Sequence, residues 1–253
     1  MTADVTRAEI CVAACSDTYR DAGEILAHAV GIVPSIGARL ARLTHAPDLV
    51  LTDGECFLMS EPPPLGASAA AGGVIEGWVP FRRIFGILNS GRRQSMMGAS
   101  QIDRWGNQNI SAIGDWRQPK KQLIGVRGAP GNTVNHRVDY WVSSHTRRVF
   151  VEKVDIVAGV GNDRARARTD QSLRFHDLGV VVTNLAVLGY DAEGRMEVRS
   201  LHPGVTPEEL QEQTGFDIDV SRATTTRVPD DEELRLIREV IDPKGLRNRE
   251  VSA

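Results

Sequence analysis

Cysteine, aromatic side chains and lysine are all scarce in this chain of 253 residues. The 3 cysteines are an odd number; Cys11 and Cys15 lie four apart, Cys56 stands alone, and no Cys-x-x-Cys knuckle exists. A disulfide-stapled secreted fold is excluded, and a reducing compartment is expected, with Cys11 and Cys15 as small core residues on one helix face. Only 4 of the 30 cationic residues are lysine, and the formal net charge is −3. Nucleic-acid binders usually show a basic balance or stripe, so nucleic acid is not an expected partner. No apolar run approaches the length of a membrane span, and the N-terminus lacks the basic-then-apolar order of a secretory leader. His136, His145 and His176 are scattered without His-x-x-x-His or Cys/His spacing, which leaves no metal set. A cytoplasmic enzyme or enzyme subunit without nucleic-acid or membrane partners is the expectation.

With 41% hydrophobic and 25% charged residues, the composition is that of an ordinary globular protein, expected as one α/β domain over 1–253. Thr6 and Glu9 have the spacing of a capping box that opens a helix. Residues 23–30 read as a strand, Pro34 begins a helix with Ile36, Leu40 and Leu43 at helical spacing, and residues 49–52 read as the next strand. Strand, helix and strand in succession predict a parallel sheet flanked by helices, with its site at the carboxyl ends of strands. That rule draws attention to Asp53, Gly54 and Glu55. Residues 61–77, with three consecutive prolines and an Ala/Gly run, predict a loop or lid, and residues 81–88 a short amphipathic helix. Residues 125–135 read as a glycine-rich turn rather than a phosphate loop, because the Lys-Ser/Thr ending is missing. Residues 150–157 alternate like a strand, the arginines of 163–168 read as a solvated loop, and the turn 191–194 centres a late β-hairpin. Helices are expected from Pro207 and over 230–240, with a mobile tail over 245–253.

Residues 94–116 stand apart. Met96 and Met97 lead to Gly98 and Ala99, whose small side chains permit close approach to the backbone. Gln101, Asp103, Asn107 and Asn109 then crowd amides and a carboxylate around Gly106, offering donors and acceptors but no metal set and no strong nucleophile. On pattern alone this is a well-capped turn or a working surface.

The run Gly98-Ala99-Ser100-Gln101-Ile102-Asp103, followed by Gly106-Asn107-Gln108-Asn109, resembles the Gly-Ala-x-Gln-x-Asp-x-x-Gly-Asn-x-Asn signature of β subunits of family I CoA-transferases, the glutaconate type especially. Ala46-Pro47-Asp48, Ile113-Gly114-Asp115 and Thr214-Gly215-Phe216-Asp217 agree in the same order, so the resemblance spans nearly the whole chain. Within the family the chain is most similar to β subunits of actinobacterial hydrolases that open the last steroid-derived ring in cholesterol breakdown.

The resemblance implies a Rossmann-like parallel or mixed sheet flanked by helices. It also implies an α-subunit partner in an α2β2 assembly, and coenzyme A entering as part of a thioester substrate rather than as a resident cofactor. In the family's transferases a strand-end glutamate attacks the acyl-CoA to form a mixed anhydride. Counted without a gap from Ala46-Pro47-Asp48, that position falls on Gly54. Glu55 is adjacent, but successive strand side chains face opposite sides unless the backbone bulges. Hydrolytic ring opening needs activated water and an oxyanion site rather than a glutamyl intermediate, and the resemblance assigns the catalytic base to a glutamate of the α subunit. Gly54, Gly98 and Ala99 would then meet the substrate by backbone contacts, and Gln101, Asp103, Asn107 and Asn109 would wall the site. Two alternatives stay open: a transferase with Glu55 as nucleophile, and a non-catalytic effector-binding or scaffolding subunit.

Overall fold

Thr6 caps the first helix, α1 (Arg7–Asp17), with both halves of the capping box in place: its hydroxyl accepts from the Glu9 amide at 3.3 Å and its own amide donates to the Glu9 carboxylate at 2.9 Å. The computed structural model describes residues 4–52, 56–67, 73–169 and 171–251. The single domain expected over 1–253 resolves into two compact units, one made of Met1–Met96 with Arg227–Ala253 and the other of Met97–Thr226.

In the first unit, strand β1 (Leu26–Ala29) leads to helix α2 (Ile32–Leu43), and the chain returns to β2 (Leu51–Thr52). Val50 bridges Leu26 in parallel, so this is the expected β-α-β unit. Helix α2 packs closely on α1: a Cβ on Gly37 would lie 2.7 Å from that of Cys15. Small residues at the crossing permit that approach, and burial pushes the Cys11 thiol up to about 12, which leaves it inert. Strands β3 (Phe57–Glu61) and β4 (Val74–Trp78) extend β2 as an antiparallel sheet. Residues 61–77, expected as loop, therefore contain most of a strand. A 3-10 turn at Phe81–Arg83 runs into α3 (Ile84–Asn89), matching the helix expected over 81–88. Strand β5 (Arg93–Gly98) follows, parallel to β1 with Leu26 opposite Arg93.

The last helix of this unit is capped by Asp230 at Asp231–Arg235 and continues as a π-helical turn through Leu236–Ile241. Over the described residues 245–251 the tail is anchored, against the expectation of mobility. Arg247 is buried between Glu9 at 3.0 Å and Asp242 at 2.9 Å, and Val251 is buried as well. The Glu250 carboxylate accepts from the Ile32 and Val33 amides at 2.9 and 3.0 Å, closing the N-terminus of α2, which has no side-chain cap of its own. These anchors are ionic and dipolar, so no apolar periodicity announces them.

In the second unit β10 (Arg137–Val142) pairs in parallel with β11 (Asp177–Thr183), and the sheet continues antiparallel through β12 (Ala186–Tyr190) and β13 (Met196–Leu201), the expected hairpin. Between β5 and β10 lie two small antiparallel ribbons: β6 (Gln101–Ile102) with β7 (Gln108–Asn109), and β8 (Ala112–Gly114) with β9 (Pro119–Gln122). Ile102, Tyr140, Phe150, Val181, Leu188 and Leu210 form the core of this unit.

Two expectations fail here. The glycine-rich turn over 125–135 carries helix α4 (Ala129–Asn135), with Pro130 in the first turn, where its missing N–H costs nothing. The strand expected over 150–157 reduces to one bridge from Phe150 to Ile102. The arginines of 163–168 begin in a short helix, α5 (Asn162–Arg166), and Thr206 caps α6 (Pro207–Gln213). Among the described residues no helix is long and apolar enough to cross a membrane.

Candidate functional site

The β6–β7 ribbon holds the polar turn, with Gln101 opposite Asn109. Gly106 turns the chain at φ +78, a left-handed conformation, and a Cβ there would fall against the Tyr190 hydroxyl and 2.6 Å from Leu178. Asp103 accepts from the amides of Trp105 and Asn107 at 3.0 and 3.1 Å and from the Asn107 side chain. That same amide nitrogen reaches Asp163 at 2.9 Å, while the Asn107 carbonyl accepts from Gly161 at 2.9 Å. Asn109 donates to Gln101 at 2.7 Å and to the Ala112 carbonyl at 2.8 Å, and accepts from Ser111 at 2.8 Å. Gln101 in turn donates to Asp155 at 3.1 Å.

All four side chains are buried. Their donors and acceptors are engaged inside the second unit, so Gln101, Asp103, Asn107 and Asn109 frame the turn. Any part they take in a site wall therefore lies in the shape they give this turn. Burial pushes the Asp103 carboxyl up against the pull of the Trp105 and Asn107 donors, and the nearby Asp163 charge adds to the rise.

Gly98, Ala99 and Ser100 are only half-buried, and the nearest atom to a Cβ built on Gly98 is the Trp141 carbonyl oxygen at 4.0 Å. The Gly98 carbonyl accepts from the Gln108 side chain and the Ser100 amide donates to Asn109, so this backbone is held from beneath. The space beside the Gly98 backbone is thus open to a further group. Gly54 and Glu55 lie outside the described residues.

The first unit contains a cavity of about 600 Å³ that sequence reasoning missed. Leu26, Trp78, Val79, Phe81 and Ile84 form its apolar wall; His28, Thr52, Cys56 and Arg93 supply its polar atoms. Thr52 closes β2 and Cys56 precedes β3, so these two flank the strand-end position to which the sequence drew attention. Desolvation draws the Arg93 guanidinium down to about 10. A signal did exist: in a chain only 5% aromatic, Trp78, Phe81 and Phe85 fall within eight positions.

His145 is structural. Its ring stacks on Phe150 at 3.7 Å, its nitrogens meet the hydroxyls of Thr183 and Thr214, and burial holds it down to about 3. Among the described residues no group of three or more His, Cys, Asp or Glu side chains is placed to hold a metal ion.

The family model for coenzyme A transferase matches residues 21–213. The chain belongs to the coenzyme A transferase family. It is 52% identical over 251 residues to the "Cholesterol ring-cleaving hydrolase IpdB subunit" of Rhodococcus jostii, covering 98% of this chain and 97% of that one. The crystal structure of Rhodococcus jostii RHA1 IpdAB superimposes with a TM-score of 0.93 at 52% identity, covering 99% of this chain and 100% of that chain. A glutaconate CoA-transferase chain of Acidaminococcus fermentans is 32% identical, with 87% of each chain covered. Membership confirms the mixed α/β fold with its parallel strands and flanking helices. The matched span begins before β1 and ends with α6, so it includes both the Gly98–Ala99 backbone and the cavity walls.

Proposed function

We propose that this chain is the β subunit of a heteromeric hydrolase that opens the last steroid-derived ring of a cyclic β-keto acyl-CoA in cholesterol catabolism. The observation that carries the reading is 52% identity, over 98% of the chain, to a subunit named for that reaction. The enzyme acts in the cytoplasm as an α2β2 assembly, and coenzyme A enters only as part of the substrate.

Water adds to the ring ketone, the adjacent carbon–carbon bond breaks, and its electron pair passes to the carbon beside the thioester, where the carbonyl stabilises it before protonation. A new carboxylate and an open chain result. The step requires water activation and oxyanion stabilisation, and no acyl-enzyme. A glutamate of the α subunit serves as base. This chain contributes the approachable backbone at Gly98 and Ala99. Asp103 takes no direct part in proton transfer, because it is buried among donors that hold its oxygens.

The test is ring opening by the purified αβ complex in ¹⁸O-water, with each chain also assayed alone. One ¹⁸O in the new carboxylate, no turnover by this chain alone, and no hydroxylamine-trapped acyl group on Glu55 are the expected results. Full activity of the isolated chain, or an acylated Glu55, would sink the reading; the acylated glutamate would establish the transferase alternative instead.

A further inference from the structure

We propose that the cavity of the first unit receives the carbocyclic part of the acyl group, with Trp78 and Phe81 setting which rings are accepted. The inference rests on the ring-cleaving reading above and deepens it by locating specificity in this chain.

The cavity's size comes first. At about 600 Å³ it falls within the range of small-molecule sites and far exceeds the voids left by ordinary core packing. Its lining comes second. The walls are mostly aliphatic and aromatic, and Arg93 is the one lysine or arginine among the described lining residues. The phosphates of a CoA moiety call for several cations or a row of amides, so the lining suits an uncharged ring instead.

The aromatic wall comes third. Trp78 is 64% exposed and Phe81 80% exposed, a large apolar area to leave in water. Strand β4 ends at Trp78 and the 3-10 turn begins at Phe81, so both rings stand on ordered backbone. Flat aromatic faces pack against an alicyclic ring, and loss of one such face removes the contact of one buried apolar side chain.

Discrimination by the αβ complex provides the test. Trp78→Ala and Phe81→Ala are compared with the unsubstituted complex for kcat/KM on the cyclic β-keto thioester, with inhibition by free coenzyme A measured alongside. KM for the cyclic thioester is expected to rise about tenfold, with no change in inhibition by coenzyme A, and Trp78→Phe should restore most of the loss. A second measurement does not depend on turnover: the CoA-free ring acid should quench tryptophan fluorescence saturably in the unsubstituted complex and not in Trp78→Phe. Quenching without ring opening would retain the cavity assignment while removing the reaction assigned above. Unchanged KM combined with weaker α-chain association on gel filtration would overturn the inference, because the aromatics would then be a subunit contact. Absence of quenching in the unsubstituted complex would overturn it as well.

Discussion

The polar turn of the second unit and the cavity of the first invert what their compositions suggest. The turn is rich in groups that bind ligands, yet Asp103, Asn107 and Asn109 direct their hydrogen bonds inward and are buried. The cavity has few such groups and leaves its large side chains open. A donor binds a ligand only where the protein has not already engaged it, and an apolar face does so only where nothing yet covers it. Polar density in a sequence is therefore a weaker guide to a site than unused surface.

Substitution at Gly106 tests the framing role most severely. Gly106→Ala puts a side chain into left-handed backbone and against Leu178 and Tyr190, so the second unit should lose about 3 kcal/mol or more in urea unfolding. A variant as stable as the parent would return the turn to the status of an adaptable loop.

The two units should also differ in their response to acid. Burial raises the Glu9 carboxyl in the first unit, but its bonds to Arg238 and Thr6 and the charge of Arg247 outweigh this and hold it down, from 4.5 to about 2. Its folded pKa lies below the unfolded one, so its stabilisation is complete above 4.5 and is lost as pH falls towards 2. The window is worth on the order of 3 kcal/mol, and Glu9→Gln should flatten the thermal stability profile across it. Asp103 has the opposite sign. Its folded pKa is raised, so its contribution is full below the unfolded value of 3.8 and is lost as pH climbs through the folded one.

Asp103→Asn sharpens the contrast, because it removes the buried charge and keeps one acceptor for the Trp105 and Asn107 backbone amides, but turns an amide NH2 towards the Asn107 side-chain donor. A loss of about 1–3 kcal/mol in denaturant unfolding is expected, showing that the acceptor geometry outweighs relief of the charge. A gain would show that the carboxylate is retained for chemistry rather than framing. The smallest effect belongs to Glu250→Gln, which weakens the closure of α2 without removing its acceptor and should cost about 1 kcal/mol, read as faster amide exchange at Ile32 and Val33.

What could be read from the chain followed the range of the interactions involved. The Thr6–Glu9 capping box and helix α2 are local, and both are present. Strand β4 was hidden because its partner supplies its order: Val74, Ile75 and Trp78 remain exposed and show no inward-outward alternation. Residues 150–157 had the alternation but no neighbouring strand beyond one bridge. Gln101 and Asn107 looked available as ligands because their partners Asp155 and Asp163 lie 54 and 56 positions along the chain. The family signature was legible; the engagement of its side chains was not.

The discontinuous first unit bears on how the protein is born. Helix α2 is closed by a carboxylate 218 positions downstream, and Arg247 reaches back 238 positions to Glu9. During synthesis the segment 97–226 leaves the ribosome whole and in one piece, whereas the earlier segment must wait for residues 227–251 before its charges are matched. The portion made first is thus the portion completed last.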